Sequence, residues 1–249
     1  MQEVLFKDLG RADYKQVWDY QESLLQDNVR IKTEARQMAV HGAVEGNLLT
    51  AGEVAPATTH YLLFVEHPPV YTLGKSGHME HVLIDEDSML QKGIQFFRIN
   101  RGGDITFHGP GQIVGYPILD LERFYTDIGK YLRHLEDVII LTLKTYGIEG
   151  HRSQGETGVW IEPGVKGRER KICAIGVRCS RWITMHGFAF NVNTDLNYFG
   201  DIVPCGIQDK QVTSLEKELG HPVDIEEVKA EVRRRFEEVF DVELRTLSE

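Results

Sequence analysis

The chain has 249 residues, of which 41% are hydrophobic and 27% charged, and its formal net charge is −10. This length can bury a sizeable core, whereas the acidic balance argues against general nucleic-acid binding. Apolar runs such as Val138–Leu141 are far shorter than the roughly 20 residues of a membrane-spanning helix. The three cysteines form no CxxC pair and the first residues do not resemble a secretory signal. We therefore expect a soluble cytoplasmic protein without a membrane partner.

Helices, a loop and several strands are predicted along the chain. In the first forty residues, apolar side chains recur at three- and four-residue spacings, which predicts one or two amphipathic helices. His41–Thr58 is rich in Gly and Ala and lacks periodicity, so we expect a mobile surface loop there. Tyr61–Val65 is a short apolar run before Pro68, typical of a buried strand ending in a turn. Further strands are predicted at Phe96–Ile99, Ile113–Leu119, Val159–Ile161, Ile172–Val177 and Phe188–Val192.

Two later segments have the periodicity of amphipathic helices. The first is Asp127–Tyr146, where Asp127 is a suitable N-cap and Gly147 a suitable C-cap. The second runs from about Asp224 to Phe240. Because strands and helices are mixed without regular βαβ alternation, the predicted fold class is α+β, built around a mixed or antiparallel sheet with packed helices.

The segment Arg101–Gln112 carries the densest signal for a binding site. Four glycines in twelve residues allow the backbone to approach a ligand and expose its N–H groups. Tight turns flanking a strand would explain the glycines and proline alone, but Arg101, His108 and Gln112 favour a functional loop. The pattern is neither a Walker A loop nor GxGxxG, so these routes to nucleotide binding are unsupported.

Lys171 and Cys205 are candidates for catalysis. Lys171 opens an apolar strand, from which its ammonium could project into a pocket, although a lone lysine there is more often structural. Cys205 lies between Pro204 and Gly206, in a turn that can hold a thiol at the surface of a cleft, although an isolated Pro-Cys-Gly is more often structural than nucleophilic. A free thiol has a pKa near 8.5, and a neighbouring ammonium would raise its thiolate fraction.

The remaining histidines and cysteines give weaker signals. His186 could act as a catalytic base or simply hydrogen-bond a loop. Cys173 is predicted to be a small buried residue, and Cys179 has no partner motif. The ten histidines show no metal-ligand spacing, so no metal site is expected.

Six stretches, taken in order, closely resemble the lipoyl(octanoyl) transferase family, which moves octanoyl groups from acyl carrier protein to lipoyl domains. They are EHPPVYTLG (Glu66–Gly74), RGGDITFHGPGQIVGYPILDL (Arg101–Leu121), GVWI (Gly158–Ile161), KICAIGVR (Lys171–Arg178), WITMHGFAFNV (Trp182–Val192) and PCGI (Pro204–Ile207). The resemblance implies the α+β catalytic fold of the biotin and lipoate protein ligases. We expect one catalytic domain over residues 1–249, in which the portion from about Gln211 could form a small subdomain.

The resemblance also implies roles for individual residues. Cys205 would be the nucleophile that carries the acyl group as a thioester. Lys171 would lower the pKa of this thiol and later help to take a proton from the incoming amine. The implied acyl-binding residues are Arg101, Gly102, Gly103, Asp104, Ile105, Thr106, Phe107, His108, Ala174, Ile175, Gly176, Gly187, Phe188 and Ala189. No cofactor is implied, and ATP is not required.

The implied partners are octanoyl-acyl carrier protein as donor, and as acceptors the lipoyl domains of 2-oxoacid dehydrogenase complexes and the glycine cleavage H protein. Both kinds of partner are expected to be acidic, which suggests a local basic rim on this acidic chain. The candidates are Arg168, Arg170, Arg178 and Arg181, for which a solvated loop is an equally good interpretation.

Three other functions fit parts of the pattern. An ATP-dependent lipoate or biotin protein ligase would explain the glycine-rich loop but leaves Cys205 without a task. A cysteine hydrolase would use Cys205 with His108 or His186, although the usual hydrolase signatures are missing. A non-catalytic acyl- or lipoyl-domain-binding module would form no covalent adduct.

Overall fold

The computed structural model describes residues 1–45, 57–204 and 211–247. The strands are β1 (Gln2–Arg11), β2 (Tyr61–Glu66), β3 (Val70–Leu73), β4 (Gln95–Arg98), β5 (Ile105–His108), β6 (Gln112–Ile118), β7 (Val159–Ile161), β8 (Arg170–Ser180), β9 (Ile183–Asn191), β10 (Gln211–Val212) and β11 (Val242–Thr246). The α-helices are α1 (Tyr14–Glu45), α2 (Glu86–Gln91), α3 (Ile128–Thr145), α4 (Leu215–Leu219) and α5 (Ile225–Phe240).

The strands form one large mixed sheet and one small sheet. The order in the large sheet is β10-β8-β9-β6-β2-β1-β11, and β7 pairs with the first residues of β8. Neighbours from β8 to β2 are antiparallel, whereas β1 runs parallel to both β2 and β11. The small sheet has the order β4-β3-β5. The prediction of an α+β fold around a mixed sheet is confirmed.

Helices cover both faces of the large sheet, which explains why its central strands are buried on both sides. Leu62 and Phe64 of β2 belong to the core that α3 and α5 cover. Their neighbours Leu63 and Val65 point to the opposite face and pack with α1. All four side chains are fully buried, because alternate residues of a strand face opposite sides of the sheet.

Helix α1 has 32 residues and lies along β6 and β9. Its residues Val17, Leu24 and Leu25 are buried against the sheet, whereas Lys15 and Asp19 form an ion pair on the solvent side. The helix is therefore amphipathic. Within the described ranges, no helix combines the length and the apolar character needed to cross a bilayer.

The capped helices agree with the sequence prediction. Asp127 precedes α3 and its carboxylate accepts the N–H of Lys130 at 2.9 Å. Asp224 precedes α5 and accepts the N–H of Glu226 at 2.8 Å. Each bond satisfies an N–H group that has no partner within the first helical turn.

The beginning of the chain differs from its prediction. Residues Gln2–Arg11 form strand β1 rather than part of a helix, and their buried side chains Val4 and Phe6 follow the two-residue period of a strand. The five residues His41–Glu45 continue α1, so the predicted loop does not begin at residue 41. Most of that predicted loop, residues 46–56, lies outside the described residues.

Candidate active site

A cavity of about 610 Å³ lies between β8, β9, β6, α3 and the segment that leads into β5. Its walls are mostly apolar. The predicted acyl-binding residues that line it are Arg101, Gly102, Gly103, Asp104, Ile105, Thr106, His108, Ala174, Ile175, Gly176, Gly187, Phe188 and Ala189. Phe107 is not among them, because its ring stacks on Tyr198 at a centroid distance of 4.6 Å in a separate small core.

The segment from Arg101 contacts β8 closely at Gly176 and Val177. Gly102 donates its N–H to the carbonyl of Val177 at 3.0 Å. A Cβ atom added to Gly176 would lie 2.9 Å from the carbonyl oxygen of Gly102. The guanidinium of Arg101 donates through Nη2 to the carbonyl of Thr72 at 2.8 Å. Glycine at these positions therefore lets two backbones meet and form one wall of the cavity.

The other end of the same segment is fixed by a chain of buried polar groups. His108 Nδ1 donates to Gln112 Oε1 at 2.9 Å, and Gln112 Nε2 donates to Asn191 Oδ1 at 2.9 Å. Asn191 in turn donates to the carbonyl of Thr213 at 3.0 Å. Burial lowers the pKa of His108 to about 3, so its imidazole is neutral at pH 7. This series of hydrogen bonds explains why the glycine-rich segment contains the polar residues His108 and Gln112.

Lys171 lines the cavity together with Pro204 and Val212. Its ammonium lies 4.6 Å from the centre of the Trp160 ring, a favourable cation–π distance. Lys171 is paired with Val212 in the parallel bridge between β8 and β10, and both Val212 and Pro204 line the cavity. The proposed nucleophile Cys205 directly follows Pro204 and lies outside the described residues.

Two tyrosines line the cavity although the sequence did not single them out for it. Tyr14 begins α1, and Tyr116 lies in the middle of β6, yet both line the cavity. Their rings belong to a buried cluster in which Tyr116 Oη lies 2.9 Å from His67 Nε2. Tyr116 lies within the stretch Arg101–Leu121, but neither tyrosine is among the expected acyl-binding residues. Only the packing of α1 across β6 brings them together.

Three of the four arginines considered for a basic rim are paired with carboxylates of the same chain. Arg181 donates to Thr33 Oγ1, and each of the other three lies beside a carboxylate. The ion pairs are Arg168–Glu162 at 2.6 Å, Arg170–Glu162 at 2.5 Å, Arg170–Glu218 at 2.6 Å and Arg178–Glu22 at 2.6 Å. The charges of Arg168, Arg170 and Arg178 are therefore offset within the chain, which argues against a basic rim at these three positions.

Comparison with known proteins identifies the family. Residues 13–237 match the lipoyl protein ligase A/B catalytic domain. The chain belongs to this family. It is 55% identical to the octanoyltransferase of Flavobacterium johnsoniae over 97% of this chain and 98% of that protein. It is 54% identical to the octanoyltransferase of Christiangramia forsetii over 98% of each. The resemblance found in the sequence is confirmed, and the chain is an acyltransferase.

A solved structure of the lipoyl protein ligase A/B type supports the fold. The bipartite lipoate protein ligase from Thermoplasma acidophilum matches with a TM-score of 0.65 and 20% sequence identity. The match covers 100% of this chain and 88% of that chain. The predicted ligase-like catalytic fold is therefore confirmed at the level of architecture.

One glycine of this family member is required by the sheet itself. A Cβ atom added to Gly187 would lie 2.2 Å from the carbonyl oxygen of Gly115 on β6. We expect Gly187→Ala to lower the free energy of unfolding by about 1–3 kcal/mol, as overpacking usually does. Gly200→Ala is the control, because nothing lies within 4 Å of its added Cβ. Urea denaturation measures both, and equal stability of the two variants would contradict this explanation.

Proposed function

We propose that the chain transfers an octanoyl group from octanoyl-acyl carrier protein to the lysine amine of lipoyl domains, through a thioester on Cys205. The observation that carries this proposal is the mostly apolar cavity, which both Lys171 and Pro204 line. An apolar cavity suits a fatty acyl chain, since burial of its methylenes is favourable. A lysine on the wall of this cavity suits the reaction at the acyl carbonyl, which needs a charge that stabilises the thiolate and a group that transfers a proton.

The first half-reaction moves the acyl group onto the enzyme. The thiolate of Cys205 attacks the thioester carbonyl of the donor, and a new carbon–sulfur bond forms as the bond to the donor sulfur breaks. The proton released from Cys205 is taken up by the departing donor thiolate. The ammonium of Lys171 stabilises the attacking thiolate. One thioester replaces another, so no ATP is needed.

The second half-reaction forms the product amide. The acceptor lysine gives one proton to solvent, and as the neutral amine its nitrogen attacks the acyl carbonyl on Cys205. The carbon–nitrogen bond forms, the carbon–sulfur bond breaks, and the proton from nitrogen passes by way of Lys171 to the cysteine thiolate. A positioned proton acceptor contributes about 10²–10⁴-fold to such a step.

The proposed acceptors are lipoyl domains of 2-oxoacid dehydrogenase complexes and the glycine cleavage H protein. Two kinds of relative support this choice. Relatives more than half identical are named octanoyltransferases, and the structural relative from Thermoplasma acidophilum was described with its E2 lipoyl domain. We further propose that these reactions take place in the cytoplasm and require no cofactor.

Intact-mass spectrometry after incubation with octanoyl-acyl carrier protein tests the proposal. We expect the wild type to gain one octanoyl group, and to lose it when a lipoyl domain is added and gains the same group. Cys205→Ser should gain no thioester-linked group. Transfer at the wild-type rate by Cys205→Ser would contradict the thioester mechanism.

The same assay separates the alternatives. Transfer from free octanoate only when ATP is present would indicate a lipoate or biotin protein ligase. Release of free octanoate as the main product would indicate a hydrolase. Retention of octanoyl-acyl carrier protein without any covalent adduct would indicate a binding module.

A further inference from the structure

A second groove adjoins the cavity at its reaction end. The groove has a volume of about 620 Å³ and shares Phe199, Pro204 and Val212 with the cavity. Val212 is the β10 partner of Lys171, and the proposed nucleophile Cys205 directly follows Pro204. A substrate that reacts in the cavity can therefore extend from there into the groove.

One side of the groove is apolar and is held by backbone hydrogen bonds. Leu83 donates its N–H to the carbonyl of Asp201 at 2.9 Å, and Val203 donates its N–H to the carbonyl of His81 at 2.8 Å. Although its backbone is fixed in this way, Leu83 is 56% exposed. The apolar side chains that line the groove beyond those shared with the cavity are Leu83, Leu196, Ile202 and Val203. Together they form an apolar surface that a ligand can cover.

Polar and charged side chains also line the groove. Asn197 and Gln211 are exposed there and offer amide groups for hydrogen bonds. Lys217 of α4 lines the groove as well. The nearby Arg170 is paired with Glu218 at 2.6 Å, whereas Lys217 forms no ion pair within residues 1–45, 57–204 and 211–247. The positive charge of Lys217 is therefore available to an anionic group of a ligand.

We propose that this groove binds the phosphopantetheine arm of the acyl carrier protein donor. This arm has the thioester sulfur at one end and a phosphate at the other, with two amide groups and a dimethyl-substituted carbon between them. The groove offers apolar side chains for the dimethyl carbon, the amides of Asn197 and Gln211 for the two amides, and Lys217 for the phosphate. The inference rests on the proposed function, because it places the reacting thioester near Pro204 and Val212.

The length of the arm fits the distance from Val212 to Lys217. Ser214 has an extended backbone and caps α4. Two extended steps and three helical steps therefore separate the Cα atoms of Val212 and Lys217 by at most about 12 Å. From sulfur to phosphorus, the arm has about as many backbone bonds as four peptide residues, so it spans about 14 Å when extended. A thioester near Val212 can therefore place its phosphate beside Lys217.

The charge of Lys217 favours the donor over the acceptor as the occupant. The acceptor is a lysine side chain, which arrives as a cation that Lys217 would repel. The donor arm, in contrast, has an anion at the end that reaches Lys217. Opposite charges attract at such a distance and like charges repel. We therefore assign the groove to the donor.

The phosphate contact is tested with S-octanoyl-pantetheine and S-octanoyl-phosphopantetheine, which differ only in the phosphate. The second-order rate constant of adduct formation is followed by intact mass. At low salt we expect the wild type to prefer the phosphorylated donor about threefold to fivefold, the upper range for one exposed ion pair. Added salt should weaken this preference. Equal rate constants for the two donors would overturn the proposal.

Three variants assign this preference to a residue. Lys217→Ala should lose the preference for the phosphorylated donor, whereas Lys217→Arg should keep it because arginine retains the positive charge. Lys166→Ala is the control, since Lys166 is an exposed lysine that does not line the groove. It should show the wild-type preference. An undiminished preference in Lys217→Ala would overturn the proposal.

The apolar contact has its own matched pair of variants. S-octanoyl-pantetheine is compared with S-octanoyl-N-acetylcysteamine, a shorter donor that lacks the dimethyl carbon. Leu83→Ser should lower the ratio of their rate constants about threefold, because it removes apolar surface that the longer arm buries. Leu90→Ser is the control, since Leu90 is also exposed but does not line the groove. The same ratio in both variants would overturn the proposal.

The second half-reaction separates the donor arm from the acceptor as the occupant. Octanoyl enzyme is prepared for each variant and mixed with a lipoyl domain, and the loss of the octanoyl group is timed by intact mass. A defect of Lys217→Ala and Leu83→Ser that is larger in adduct formation than in this step supports the proposal. A defect that is larger in this step would assign the groove to the acceptor and overturn it.

Failure of this inference can be distinguished from failure of the proposed function. Adduct formation from octanoyl-acyl carrier protein by the wild type is measured in the same way, and its absence would remove both. Normal adduct formation without a preference for the phosphate would remove only the role of the groove. If only the carrier protein acylates the wild type, Leu83→Ser and Leu90→Ser are compared with that donor. Equal rate constants for these two variants would then overturn the proposal.

Discussion

Alanine in place of Lys171 is expected to slow octanoyl transfer by about 10²–10⁴-fold, the usual contribution of a positioned proton acceptor. The ammonium lies 4.6 Å from the Trp160 ring centre and lines the cavity with Pro204, the residue before the proposed nucleophile. The substitution removes both the positive charge that stabilises the thiolate and the group that takes the proton from the acceptor amine. Adduct formation and transfer are followed separately by intact mass.

A second substitution separates these two roles. Arginine at position 171 keeps a positive charge but does not give up its proton at ordinary pH. We therefore expect Lys171→Arg to form the octanoyl adduct faster than Lys171→Ala and to fail in transfer to the amine. Lys166→Ala is the control, because Lys166 is an exposed lysine in the turn before β8. Wild-type rates in Lys171→Ala would show that this lysine has neither role.

The sequence predicts those parts of the fold and site that depend on local pattern. The capping aspartates Asp127 and Asp224 mark the starts of α3 and α5, and the apolar run Tyr61–Val65 marks β2. Most of the segment Arg101–His108 lines the cavity as its motif predicts. In each case the residues that form the pattern are close together in the sequence, so the sequence alone is sufficient to predict the element.

Contacts between distant segments could not be predicted in this way. Strand β1 was missed because its parallel partners β2 and β11 lie far along the chain. Arg178 was considered for a basic rim, but its guanidinium pairs with Glu22 on α1. Tyr14 reaches the cavity only because α1 packs across the sheet. Ion pairing and packing of this kind depend on tertiary structure, which no local spacing encodes.

The stability of the protein is expected to fall steeply as the pH drops below about 6.5, because four histidines are buried in neutral form. Burial lowers the pKa of His60 and His67 to about 4, and of His108 and His186 to about 3, from an ordinary value of 6.5. The unfolded chain binds protons below pH 6.5, whereas the folded chain does not until its lower pKa values are reached. Stability is therefore fully present above pH 6.5 and is lost as the pH falls toward about 4.

The size of this loss of stability follows from the number of protons that the unfolded chain binds and the folded chain does not. Each histidine removes up to about 1.4 kcal/mol per pH unit across this range. Four together can remove most of the roughly 5–15 kcal/mol that stabilises a typical domain within about two pH units. Carboxyl groups act in the same direction but titrate mainly below their ordinary values near 4. A decrease between pH 6.5 and about 5 is therefore assigned mainly to the histidines.

Urea denaturation at several pH values measures this decrease, and one variant assigns it. His60 Nδ1 accepts the backbone N–H of Asp120 at 3.2 Å, a bond that protonation of this nitrogen would break. Asparagine can accept the same bond through its side-chain oxygen and does not titrate. We expect His60→Asn to reduce the slope of the unfolding free energy against pH by up to about 1.4 kcal/mol per pH unit, which is the contribution of one proton. A free energy of unfolding that stays constant between pH 6.5 and about 5 would show that these imidazoles gain protons without unfolding the chain.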